Sequence, residues 1–209
     1  DQIGGLVVQP GVEFSPMEVH HLPLARDPGL LPALKDWPNV CLEAHSTDYQ
    51  YPGAYPRLAQ LGFAFQKVGP ALTFAWREAL YALDTLRAQN GWASGPSLAD
   101  TMEQVMLAQP GYWQGHYHGT SADLRTERHF GLADRIRYSW PDPQAQAAVA
   151  RLLADLDGKL LPDPALLAHF AASEIAIARK SRHPLPRALA LVRVQTALRP
   201  YFFNAGPRS

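Results

Sequence analysis

Three short apolar runs constrain this chain more than anything else in it: Gly5-Leu6-Val7-Val8-Gln9, Val40-Cys41-Leu42-Glu43 and Phe63-Ala64-Phe65-Gln66-Lys67-Val68. Each has the length of a strand, and each leads into a polar or Gly/Pro-containing loop. Between the first two, Asp27-Pro28 offers an N-cap and a first helical position for a short helix to about Lys35. Between the second and third, Pro52 to Leu61 has room for about two helical turns, with Gly62 suited to close them. Strand, helix, strand, helix, strand is the sequence form of parallel βαβ units.

Helical periodicity then takes over. Leu72, Trp76, Ala79, Leu80, Leu83 and Leu86 recur at helical spacing after Pro70, and Asn90-Gly91 ends the pattern. Ser97 with Asp100 predicts a capping box for a helix carrying Leu98, Met102, Val105 and Met106, which stops at Pro110-Gly111. Asp142-Pro143 starts another, with Val149, Leu152, Leu153 and Leu156 inward and Gly158 at its end. Further helices are expected over 164–178 and 186–202. The chain therefore divides near residue 92 into an α/β portion, 1–92, and an all-helical portion, 93–209.

The 209 residues suffice for one sizeable core, and nothing in the composition suggests disorder or a fibrous repeat. Nineteen basic residues balance nineteen acidic ones, so no net charge draws the chain to nucleic acid or to an acidic membrane surface. The partner expected is a small molecule or another protein. Cys41 is the only cysteine, which excludes an internal disulfide and fits a reducing compartment; it reads as a buried strand residue. With no apolar run of membrane-spanning length and no basic-then-apolar leader, a cytoplasmic location is the expectation. The sequence opens at Asp1 and runs almost at once into a strand, as though it begins partway through a larger protein.

In parallel α/β folds ligands gather at the carboxyl ends of the strands. The second strand ends there in Glu43-Ala44-His45-Ser46-Thr47-Asp48-Tyr49-Gln50, a concentration of polar groups that would be costly to bury unpaired. A neutral imidazole such as His45, with carboxylates beside it, suits a divalent metal; a hydrogen-bonded rim histidine is the alternative. Glu43 and Asp48 are candidates for general acid or base, or for holding that metal. Ser46 lies on the same rim and is a candidate substrate contact. Gly69 opens a loop that lets backbone approach a ligand closely, and the helix following it, with Thr73 in its first turn, points free N–H groups at the rim. That suits a phosphate, or makes only a strand-to-helix bend. Lys67 is placed to neutralise a phosphate or to reach solvent. Arg135 and Arg137, in Asp134-Arg135-Ile136-Arg137-Tyr138-Ser139-Trp140-Pro141, either recognise phosphate or pair with Asp134 among aromatics. His116 and His118 read as a solvated loop, and His20 and His21 carry no usable context.

The stretches VVQPGVEF (7–14), EAHSTDYQ (43–50), KVGPALTFAWREALYAL (67–83), EQVMLAQPGYW (103–113) and DRIRYSWP (134–141) resemble, in order and spacing, the GatZ/KbaZ-like family, the non-catalytic subunit of class II D-tagatose-1,6-bisphosphate aldolase. The resemblance extends to about residue 160 and is loose beyond it. It implies that the chain is the C-terminal portion of a (β/α)8 TIM barrel, about three parallel strands, followed by an α-helical C-terminal extension. Members look about twice this length, so the rest of the barrel, with a Gly-Gly-Asp-His motif, is expected outside these residues. By analogy with class II aldolases, His45 looks like a metal-site histidine, with zinc the metal implied once the other half of the barrel is present, and Gly69 to Thr73 look like the phosphate loop. The function implied is an accessory subunit supporting a catalytic aldolase subunit, with a sugar phosphate as ligand and a homo-oligomer as a further possibility. Two alternatives stay open: a metal-dependent 4-epimerase interconverting fructose 6-phosphate and tagatose 6-phosphate, and an inactive fragment.

Overall fold

A computed structural model of the chain describes residues 4–204. Strands β1 (Gly5–Val7), β4 (Cys41–Ala44) and β5 (Phe63–Gln66) form a parallel sheet in that order, with Leu6 opposite Leu42 and Leu42 opposite Phe63. The three runs that read as strands are thus strands, joined by helical crossovers. Side chains alternate across a strand. Leu42 and Ala44 therefore enter one buried cluster with Val12, Leu22, Leu58 and Leu61, while Cys41 and Glu43 share the other face. Cys41 is accordingly half-buried, not buried as expected, and its Sγ lies 3.1 Å from the Gly4 carbonyl as a donor.

The first crossover helix departs from expectation. Asp27 accepts a hydrogen bond from the Gly29 N–H at 2.8 Å, which makes a turn, and α1 is a single turn over Leu30–Ala33. α2 (Ala54–Gln60) forms where two turns were expected. Gly62 follows it at φ +95, a backbone conformation that favours glycine. An antiparallel pair, β2 (Glu13–Phe14) with β3 (Val19–His20), was not foreseen; two residues are too few for a periodicity. Gln50 anchors it, donating to the His20 carbonyl and accepting from Leu22 N–H.

α3 (Pro70–Gln89) follows β5 and lies against α9 (Leu185–Leu198). Its residues Ala79, Leu80, Leu83 and Leu86 are fully buried, whereas Leu72 and Trp76 are half-buried. α4 (Leu98–Ala108) starts at Ser97, whose hydroxyl accepts from Asp100 N–H at 3.0 Å. α5 (Ser121–Phe130) was not foreseen, because its sequence is polar almost throughout; Thr120 and Asp123 cap it reciprocally. α6 (Pro143–Leu156) begins at Asp142 as expected, but Ala145 and Ala148 are buried while Val149 and Leu153 are only half so. The helix expected over 164–178 is two, α7 (Asp163–Leu167) and α8 (Ala172–Ala178). The helix expected to end at 202 ends at Leu198, and a 3-10 turn over Arg199–Tyr201 follows.

α3, α4, α6, α8 and α9 contribute to a second and larger core. α3 supplies Ala79, Leu80, Leu83 and Leu86 to this helical core. Among the described residues, no helix is long and apolar enough to cross a membrane.

Candidate functional site

Glu43 and His45, two residues apart at the carboxyl end of β4, project to the same side and meet at 2.7 Å between Oε1 and Nε2. Both side chains are about one-third exposed, so the pair is neither buried in the core nor free in solvent. Beyond it the chain turns sharply: Ser46 and Tyr49 hold left-handed φ of 55 and 63. The exit of β1 meets this turn, for Gln9 Nε2 donates to Glu13 at 2.7 Å and to Ser46 Oγ at 3.4 Å. The exits of β1 and β4 are therefore adjacent, with Gln9 and Glu13 supplied by the first.

Asp48 has a more structural setting than its expected acid–base role implies. It is buried, and its Oδ1 accepts from Gly69 N–H at 2.9 Å and from Ala71 N–H at 3.0 Å. Burial raises its pKa above the usual value, opposed by those two N–H groups and by the Arg137 charge. The same N–H groups are those a phosphate would use at the start of α3, so a phosphate bound there must first displace Asp48. Thr73 is likewise engaged, its hydroxyl donating to the Pro70 carbonyl at 3.2 Å. Lys67 is exposed at the end of β5, beside the rim.

The ion pair expected between Arg135 or Arg137 and Asp134 is not made, although Arg135 packs among aromatics as expected. Asp134 is buried and pairs with Arg77 of α3 at 3.3 Å, not with its sequence neighbours. Arg137 donates to the Ala133 carbonyl at 2.7 Å and to the Tyr138 hydroxyl at 3.0 Å, yet its charge is felt at both Asp48 and Tyr49. Arg135 donates to the Tyr112 carbonyl and lies over the Tyr138 ring, which stacks on Tyr112. Tyr49 ties this segment to the rim by donating to the Leu132 carbonyl at 2.7 Å. The structure thus brings Arg137 toward Asp48 and engages Arg135 in an aromatic cluster.

No group of three His, Cys, Asp or Glu side chains able to hold a metal occurs among the described residues. Glu43 and His45 supply two donors already bonded to each other, and a structural or catalytic zinc takes at least three protein ligands. These residues alone do not fit a complete metal site. A groove of about 970 Å3, lined in part by Trp37, Val40, Phe63 and Tyr201, includes neither Glu43 nor His45.

Sequence reasoning missed Tyr201, whose hydroxyl lies 3.0 Å from Thr47 Oγ1, and the Arg77–Asp134 pair. The partners lie 154 and 57 positions apart, beyond the reach of any local pattern.

The comparisons with known proteins agree on a family. A D-tagatose 6-phosphate 4-epimerase from Agrobacterium fabrum (strain C58 / ATCC 33970) is 47% identical over 171 residues, which cover 79% of this chain and 39% of that protein. The crystal structure of a probable tagatose 6 phosphate kinase from Sinorhizobium meliloti 1021 matches with a TM-score of 0.87 and 43% identity, over 95% of this chain and 51% of that one. The chain thus spans two-fifths to one-half of the length of these relatives. The model of the family described as D-tagatose-1,6-bisphosphate aldolase subunit GatZ/KbaZ-like matches residues 1–205, and this chain belongs to that family.

Proposed function

We propose that these residues form one sector of the strand-end site of a (β/α)8-type protein acting on a ketose 6-phosphate, with 4-epimerisation of tagatose 6-phosphate as the reaction. The observation that carries this reading is the Glu43–His45 pair, half-exposed at a strand end, in a chain 47% identical to a D-tagatose 6-phosphate 4-epimerase over most of its length. Ionised Glu43 accepts from His45 Nε2–H, which fixes the tautomer and leaves Nδ1 as the free base. Inverting carbon 4 by aldol chemistry needs such a base. His45 takes the proton of the C4 hydroxyl as the C3–C4 bond breaks, and the bonding electrons pass to C3 and the neighbouring carbonyl. The aldehyde turns, the bond re-forms on its other face, and His45 returns the proton. Arg137 and Lys67 are the cations nearest the rim for the 6-phosphate. Because the donor set for a metal is incomplete among these residues, no step is assigned to one.

A second reading has its own support. The family description names an aldolase subunit, which suits a protein that assists catalysis by another chain. In that reading the partner is a catalytic aldolase subunit. The test is an assay of the purified protein for fructose 6-phosphate/tagatose 6-phosphate interconversion, with His45→Ala as the control. Turnover that falls at least about 100-fold in the variant supports the epimerase, in line with loss of a general base. No turnover in the parent, together with increased activity of an added catalytic aldolase subunit, supports the accessory reading instead.

A further inference from the structure

We infer that Tyr201, near the far end of the chain, is a positioning residue that holds the loop carrying His45 in its working shape. For its effect on activity the inference rests on the reading of that loop as a sugar-phosphate site; its effect on the loop stands apart from that reading.

Thr47 is fully buried, and its hydroxyl has a single proton. That proton goes to the Lys67 carbonyl at 2.8 Å. Tyr201, 3.0 Å from the same oxygen, is then the donor to Thr47. Lys67 N–H in turn donates to the Ala44 carbonyl at 2.9 Å, so the pairing of β4 with β5 is carried past the strands by one side chain and closed by the Tyr201 phenol. The Tyr201 ring packs on Tyr55 of α2, with centroids 4.5 Å apart. Burial raises the Tyr201 pKa well above its ordinary value, which keeps the phenol a donor at any physiological pH.

The next residue, Asp48, is anchored independently by the first N–H groups of α3. Two adjacent residues are thus fastened to different elements: Thr47 to the turn after α9, Asp48 to the start of α3. Ser46, in the left-handed region, is the hinge between those anchors and His45. With Thr47 released, the 45–47 stretch keeps the His45 bond to Glu43 at 2.7 Å and the longer Gln9–Ser46 contact at 3.4 Å.

Tyr201→Phe removes one oxygen and keeps the ring on Tyr55. In the full chain, the amides of 46–48 and 67–69 should exchange with solvent about five-fold faster, as expected when one ordinary hydrogen bond is lost, while those of the α4 and α6 core keep their rates. Thr47→Val, which also removes the bond to the Lys67 carbonyl, should give at least that change, Thr47→Ser should keep the parent rates, and the Tyr201→Phe/Thr47→Val double variant should add little to Thr47→Val alone. On the epimerase reading kcat falls by about the same five-fold factor with KM little changed. Parent-like exchange at 46–48 in Tyr201→Phe, or fully additive effects in the double variant, overturns the inference. Faster loop exchange in a protein without sugar-phosphate turnover overturns the proposed activity and leaves the positioning role supported.

Discussion

Asp48 and His45 lie three residues apart in one loop and have opposite surroundings. His45 is a third exposed beside Glu43, whereas Asp48 is buried with one oxygen serving two backbone N–H groups. Because burial raises its pKa above the ordinary 3.8, Asp48 favours the fold most when protonated, below that value. The contribution is lost as pH rises through the raised, folded-state pKa. Asp48→Asn keeps the acceptor and removes the charge, so at pH 7 it should be as stable as the parent or up to about 1 kcal/mol more stable, with a flatter stability–pH curve above 3.8. Asp48→Ala strands both N–H groups and should cost about 1–3 kcal/mol. Urea unfolding at pH 4 and pH 7 distinguishes these outcomes; an Asn variant as unstable as the Ala one would mean that the fold needs the charge. The polar density of residues 43–50 was legible as the exit of a strand into a polar loop. Which of those polar groups serve the fold was not legible, because the partners of Thr47 and Asp48 lie at Lys67, Gly69, Ala71 and Tyr201, and a sequence read locally has no means to pair them.

Between elements, the helical portion is joined by buried charges as well as by its apolar core. Glu103 of α4 accepts from Arg128 of α5 at 2.9 Å and from His129 at 3.1 Å, and the other ring nitrogen of His129 accepts from Tyr81 of α3 at 2.7 Å. Burial alone would raise the Glu103 pKa, but the hydrogen bonds and charge of Arg128 override it and hold the carboxyl below its usual value. Glu103→Ala leaves Arg128 buried without its partner and should cost about 3–5 kcal/mol. Arg125→Ala, which removes an exposed cation beside the same carboxylate, should cost less than about 1 kcal/mol. Equal unfolding midpoints for the two variants would contradict this ranking. Burial, partly opposed by Glu103, also lowers the His129 pKa below 6.5. The unfolded chain then binds the extra proton first, so stability is full above about 6.5 and falls as pH drops toward the folded value. His129→Gln should flatten the unfolding midpoint across that interval; an unchanged acid slope would place the effect elsewhere. The helices with an apolar stripe, α3, α4 and α6, were legible from spacing and caps. α5 was not, since its attachment is through Arg128 and His129, and charged residues are ordinarily read as solvent-facing.

At the scale of the whole molecule, the two cores differ in size and in cover. The helical core draws on α3, α4, α6, α8 and α9, whereas the smaller cluster rests on β4, β5, α2 and the loops around them. The sheet that serves this second cluster leaves Leu6, Val7 and Phe65 about half exposed, and both outer strands lack a neighbour among the described residues. Such a sheet has open hydrogen-bonding edges and an apolar surface to hide. Its attachment to the helical portion runs through the Asp48 bonds at the start of α3, the Thr47–Tyr201 bond and the Tyr49 bond to Leu132. Regions with few buried apolar contacts and solvent-facing backbone open at lower free energy than the global value. Native-state hydrogen exchange should therefore show the amides of β1, β4 and β5 opening at a free energy at least about 2 kcal/mol below that of the α3 and α4 interior. Tyr49→Phe should widen the gap, because it removes a hydrogen bond between the two portions and leaves the Leu132 carbonyl without that donor. Strand amides as protected as those of Leu83 and Met102 would instead mean that the sheet, with its half-exposed apolar face, is fully coupled to the helical core. In that case the open edges would carry no stability cost for this chain, and the strand-end site could keep its geometry without further cover.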